Sequence, residues 1–198
     1  MRSGKERAAI GGKKSGPHRR SLRRAAILLL GCWVAYGFPA RAQNTGPTEY
    51  QIKAAFLYNF VKFVEWPTQA YAGSTSPTVI GVLGENAFGG ELEKALRNKV
   101  INHHPLRFKK LDSVTEATNC QVLFISASER SRFPQILETL RGKSVLTVSE
   151  SAHFIPDGGM INFILVDRKV RFQINNGAAR QAGLIISSDL LNLAVPAG

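Results

Sequence analysis

Two apolar runs near the end of the chain, residues 160–166 and 169–174, are separated only by Asp167-Arg168. Parallel strands need a crossover of about a dozen residues, so a two-residue link leaves an antiparallel hairpin as the one way to pair them. That hairpin must close an edge of whatever sheet the rest of the chain builds. The block around it, residues 158–194, continues into a small-residue segment at 177–183 and a leucine-rich tail. It carries no grouping of side chains suited to catalysis and reads as packed scaffold.

Upstream, short apolar runs alternate with helical patterns. Residues 78–83, 100–110 (interrupted by Pro105), 122–126 and 145–148 read as strands. Residues 49–65, 91–97 and 133–141 read as helices, the first broken by Trp66-Pro67 and the last ended by Gly142. Strands spaced by helices of this length imply right-handed crossovers. The expected fold class is therefore α/β: a mostly parallel sheet flanked by helices, with a C-terminal antiparallel hairpin at the sheet edge. Closing helical segments are expected to begin near Asn176 and Ser188, both suited to N-capping.

On the first helix, Ile52, Phe56, Leu57, Phe60, Val61, Phe63 and Val64 cover about half the circumference, with Tyr58, Lys62 and Glu65 on the other side. Lys53 falls among the apolar positions. A lysine in a first turn is expected to run its stem over apolar surface and put its ammonium in water.

The formal charge of +12 is concentrated at the start of the chain. Residues 1–42 hold ten basic residues and one acid, leaving 16 basic and 13 acidic residues beyond them. The charge thus gives no sign of a nucleic-acid partner. A basic segment ending at Arg24, an apolar stretch over 25–38 and Ala40-Arg41-Ala42 form the pattern of a secretory signal cleaved before Gln43. The apolar stretch is shorter than the ~20 residues a membrane span needs. Residues 1–42 are expected to be a cleaved signal peptide and 43–198 a single exported domain. Arg19-Arg20 resembles a twin-arginine export signal, and Cys32 sits in a lipoprotein-like context. Cys120 is the one cysteine beyond residue 42, so that part can form no disulfide within itself. It precedes the apolar run 122–125 and is expected to be a buried, inert thiol.

In open α/β sheets ligands sit outside the carboxyl ends of the strands. Here those ends hold Ser126, Glu129, Ser149 and Glu150, which could line a polar crevice. The same residues suit capping, since Ser126 and Glu129 have capping-box spacing. The glycines at 81, 84, 89 and 90 match neither a dinucleotide fingerprint nor a P-loop. His103 and His104 would point to opposite faces of a strand and have no third ligand beside them. No G-x-S-x-G elbow is present. No cofactor, metal or enzymatic activity is expected.

Taken together, several segments carry a resemblance. Glu49-Tyr50-x-x-Lys53-Ala54-Ala55-Phe56-Leu57-Tyr58-Asn59-Phe60-x-Lys62-Phe63-x-x-Trp66-Pro67 resembles the opening helix of the YfiR family of periplasmic proteins. Ile80-Gly81-Val82-Leu83-Gly84, Cys120-Gln121-Val122-Leu123-Phe124-Ile125-Ser126 and Leu146-Thr147-Val148-Ser149-Glu150 resemble its strands. Gly158-Gly159-Met160-Ile161-Asn162-Phe163, Val170-Arg171-Phe172-x-Ile174-Asn175 and Ala182-Gly183-Leu184-x-Ile186-Ser187-Ser188 resemble its C-terminal signature. The resemblance implies a periplasmic repressor that binds the periplasmic sensory domain of an inner-membrane diguanylate cyclase and so lowers cyclic-di-GMP synthesis. It also implies an outer-membrane lipoprotein that sequesters the repressor, and a homodimer. Disulfide tuning, a property of such relatives, does not carry over to a lone Cys120.

A binder of this kind needs an exposed surface on a rigid scaffold. Arg171, Gln173 and Asn175 alternate with Phe172 and Ile174, so they are expected to share the face opposite the core. They form the expected partner-binding set, joined by Lys53 and Tyr58 on the aromatic helix. The alternative is a small-molecule-binding protein using the crevice of Ser126, Glu129, Ser149 and Glu150.

Overall fold

Thr48 opens the first helix with a capping box: its hydroxyl accepts from the Gln51 N–H, and the Gln51 side chain accepts from the Thr48 N–H at 2.9 Å. The computed structural model describes residues 46–196, so the signal peptide expected over 1–42 and the motifs around Arg19 and Cys32 lie outside the described residues. Helix α1 (Glu49–Phe63) stops two residues short of the expected end. Val64–Glu65 instead form a short strand, β1, paired antiparallel with residues 185–186. Trp66 precedes Pro67 and is thereby held out of the helical region, which favours an extended exit.

The elements that follow are β2 (Thr78–Leu83), α2 (Glu91–Leu96), β3 (Val100–Ile101), β4 (His104–Leu111), β5 (Val122–Ile125), α3 (Phe133–Thr139) and β6 (Leu146–Ser149). Then come β7 (Ile161–Val166), β8 (Lys169–Ile174), α4 (Asn176–Gln181), β9 (Ile185–Ile186) and α5 (Ser188–Leu193). Seven strands form one sheet in the order β3-β4-β2-β5-β6-β7-β8. The inner pairs β4/β2, β2/β5, β5/β6 and β6/β7 are parallel, while β3/β4 and β7/β8 are antiparallel. The sheet is therefore the expected mostly parallel one, with the β7–β8 hairpin closing one edge.

The strand expected over 100–110 is two strands. The break falls at Asn102-His103, both at positive φ (50° and 68°), and not at Pro105. This is the two-residue turn geometry that splices a tight hairpin. Pro105 is tolerated because the ladder of β4 with β2 starts one residue later, at Thr78↔Leu106. The helix caps also fall one residue earlier than expected: the side chains of Asn175 and Ser187 accept from Ala178 N–H and Leu190 N–H.

The sheet separates two apolar cores. On one face α1, α2, α4 and α5 cover Ile80, Val82, Val122, Phe124, Val148, Ile161, Phe163 and Phe172. On that side Phe60 stacks on Phe163 and meets Phe172 edge-on, with centroids 5.8 and 5.2 Å apart. On the other face α3 and the segment 150–158 cover Leu83, Leu111, Leu123 and Ile125 through Phe133, Ile136 and Phe154. That second layer reaches only as far as β6, and among the described residues no helix packs on the same face of the hairpin.

Candidate functional site

The chain runs from β2 to β4 on one side and returns to β5 on the other, so the topological switch point lies between β2 and β5. Their carboxyl ends are where an open α/β sheet offers its ligand crevice. In this protein that position is filled by the chain itself. Residues 127–132 form a 3₁₀ segment whose Ser128 hydroxyl accepts from the Glu85 N–H at 2.9 Å. Gly84 (φ +88°) lies so close beneath it that a Cβ there would sit 2.8 Å from Glu129 Cγ. Ser126 accepts from the Ser128 N–H, Glu129 pairs with Arg132 at 2.8 Å, and buried Ser149 donates to the Ile125 carbonyl at 2.7 Å. Of the four residues expected to line the crevice, three are spent on local structure and only Glu150 faces a cavity.

That cavity lies further along the sheet, at the ends of β6 and β7. It measures about 660 Å³ and is lined by Glu49, Tyr50 and Lys53 of α1, by Glu150, by His153 and Ile155 of the following segment, and by Asn162, Ile164 and Gln173 of the hairpin. Lys53 does not reach to water as expected. It is 4% exposed, and its ammonium binds both the Glu49 and the Glu150 carboxylates. Tyr50 donates to the other oxygen of Glu150 at 2.9 Å, and the Lys53 ammonium lies 4.7 Å from the centre of the Tyr50 ring. Burial, together with the hydrogen bond to Glu150 and the negative charge of Glu150, pushes the Tyr50 phenol up to about 12. The phenol is therefore a neutral donor at physiological pH.

One ammonium between two carboxylates leaves the group with a net negative charge. Beside it, Asn162 Oδ1 is buried without a hydrogen-bond partner among the described residues. A buried amide oxygen without a partner is costly, and Asn162 is one of the residues that line the cavity. The site offers acceptors and a charge cluster with an excess of one carboxylate, an arrangement for holding a donor-bearing group. Among the described residues no set of three His, Cys, Asp or Glu side chains is placed to hold a metal ion.

Of the residues expected to meet a partner, Arg171 is exposed and Gln173 half-buried. They pair across the hairpin with Ile164 and Asn162 and share with them the face that no helix among the described residues covers. Asn175 lies past the end of β8, where its side chain caps α4. Tyr58 is half-buried on the opposite side of the molecule's first helix, with the Lys62 and Lys99 ammonium groups each 5.9 Å from its ring. The structure brings Lys53, Arg171 and Gln173 to one end of the sheet and leaves Tyr58 and Asn175 elsewhere. Tyr50 and Asn162 were missed. Tyr50 shows as a helix-start aromatic three residues before Lys53, but nothing in the sequence marks Asn162 as unpaired.

Comparison with known proteins agrees with the fold. The family described as YfiR/HmsC-like matches residues 50–195. No curated protein matches the chain. Among solved structures, a conserved domain protein from Vibrio cholerae superposes with a TM-score of 0.53 at 10% identity, covering 75% of this chain and 60% of that one. The ABC domain in complex with L-Trp from Streptococcus pneumoniae gives a TM-score of 0.43 at 12% identity, over 60% of this chain and 54% of that one. The chain thus spans little more than half the length of these solved structures.

Proposed function

The chain belongs to the YfiR/HmsC-like family, and on that premise we propose that it is a periplasmic regulatory protein that represses an inner-membrane diguanylate cyclase by binding its periplasmic sensory domain. The observation that supports this reading is the face of the β7–β8 hairpin that no helix among the described residues covers, where the tail reaches Gln173, whose amide donates to the Pro196 carbonyl at 3.4 Å. There Arg171 and Val166 are exposed beside the half-buried Ile164 and Gln173. Apolar and basic groups on a rigid two-stranded edge suit a protein partner. Such a binder represses only if it prefers the inactive form of the cyclase, because a ligand shifts an equilibrium by its differential affinity alone. A lipoprotein of the outer membrane that covers the same face would relieve repression by competition, and a second copy of the chain could dimerise through it.

Capture from the native envelope tests the reading. The wild-type chain should retain a membrane diguanylate cyclase, and Arg171→Glu should lose it while keeping the wild-type melting temperature. Failure of the wild-type chain to capture any cyclase would sink the proposal.

Asn162 Oδ1 favours a second reading, in which the cavity at Glu150 holds a small molecule that bears an N–H or O–H donor. A metabolite that raises the melting temperature in proportion to the logarithm of its concentration, and fails to do so in Asn162→Leu, would establish it.

A further inference from the structure

At the opposite end of α1 a second cavity, of about 580 Å³, opens between the Val61–Trp66 segment, the loop around Tyr71 and Ser74, and the β3–β4 turn. Its volume is that of a small-molecule site. The nearest α1 residues lining the two cavities, Lys53 and Val61, are about 12 Å apart along the helix axis, and the cavities share no lining residue.

Its chemistry is set by which polar atoms are already engaged. His104 Nδ1 lies 2.6 Å from the Ser76 carbonyl, which can only accept, so Nδ1 carries the proton and Nε2 is left as the acceptor of the neutral ring. The imidazole stacks on Tyr71 with centroids 4.0 Å apart and planes at 17°. Trp66 spends its indole N–H on the Gln121 carbonyl at 3.1 Å, and the Tyr71 hydroxyl is 3.3 Å from that of Thr78. Burial holds the Tyr71 phenol above its ordinary value, which keeps it neutral. No lysine or arginine lines the cavity, Glu65 is its one carboxylate, and Glu65 makes no ion pair among the described residues. The walls thus combine aromatic surface, an imidazole acceptor and an unpaired negative charge.

We propose that this cavity binds a small organic cation, an amine whose ammonium group meets Glu65 and His104 Nε2 while its apolar body lies against Trp66 and the Tyr71–His104 stack. An organic anion would meet a carboxylate with no compensating cation. A wholly apolar molecule would strip water from Glu65 and Nε2 without replacing it. A cation over aromatic surface gains on both counts.

The test titrates the full chain with benzylammonium and with benzoate, read by calorimetry and by ¹H–¹⁵N spectra. Benzylammonium should bind on the order of 1 mM, as fits a ligand of that size. It should shift the resonances of Trp66 and His104, while benzoate should shift neither. Glu65 is exposed, so Glu65→Gln should fold normally and weaken benzylammonium about fivefold, the range of a partly desolvated charge pair. The proposal is overturned if benzylammonium leaves these resonances unmoved or benzoate binds as well. It is equally overturned if Glu65→Gln binds unchanged, or if the shifts fall at Asn162 instead. Because the two cavities share no lining residue, none of these outcomes depends on whether the chain represses a cyclase.

Discussion

Lys53 and Glu150, 97 residues apart, form a buried ion pair that ties the start of α1 to the end of β6. Glu150 also accepts from Tyr50, so removing its carboxylate strands a lysine whose side chain is 5% exposed and a phenol at once. Breaking a buried pair from one side typically costs about 3–5 kcal/mol. Because Glu49 still partners Lys53, Glu150→Ala should cost about 2–3 kcal/mol in urea unfolding, below that range. The double variant Lys53→Met/Glu150→Gln should cost clearly less than the sum of its single changes. Additive effects would mean that the two residues are not coupled.

The Tyr50 phenol links this cluster to pH. Its value rises from about 10 in the unfolded chain to about 12 in the folded one, chiefly through burial and then through Glu150. A raised value means that the fold favours the protonated form. The resulting stability is fully present below pH 10 and is lost as pH rises through 12. The ultraviolet difference between wild type and Tyr50→Phe should therefore show one phenol ionising near pH 12, and Glu150→Gln should move that step lower. Ionisation of Tyr50 together with ordinary tyrosines near pH 10 would refute the arrangement.

What the sequence disclosed followed from how local each feature is. The β7–β8 hairpin was legible because a two-residue link admits one pairing, and Thr78–Leu83 because its apolar run is uninterrupted. The β3–β4 turn was hidden: Asn102-His103 adopts positive φ without a glycine, and Pro105 drew attention to the wrong position. The burial of Lys53 was hidden because one of its two carboxylate partners, Glu150, lies 97 residues away in the sequence. The crevice was misplaced because capping and ligand binding call on the same residue types. The packing of Gly84 beneath residues 128–129 shows that the switch point is closed, and of the four crevice residues it is Glu150 that lines the neighbouring cavity.

Cys120 should behave as an inert side chain. It is 3% exposed, and burial pushes its thiol up to about 11, against a smaller opposing pull from Lys109. The thiolate is the reactive form, so a colorimetric thiol reagent at pH 8 should label the native chain no faster than it unfolds. Full labelling should follow at once in denaturant. Rapid native labelling would show the thiol to be accessible and would reopen redox control through it.

Gly159 supports the segment that walls the cavity at Glu150. A Cβ there would overlap the ring of Phe154, which is fully buried and meets Phe133 edge-on at 5.1 Å. Both rings belong to the second core, so neither can yield without moving its neighbours. Overpacking of this kind costs about 1–3 kcal/mol, and Gly159→Ala should lose that much in chemical denaturation. Gly90→Ala is the matched control: its Cβ would meet nothing within 4 Å and its φ is −93°, so it should stay within about 0.5 kcal/mol of wild type. His153 and Ile155, on either side of Phe154, line the cavity. Gly159→Ala should therefore also weaken any ligand or partner held there, while leaving benzylammonium binding at Glu65 unchanged. Equal stability of the two alanine variants would show that Phe154 has room the structure does not give it.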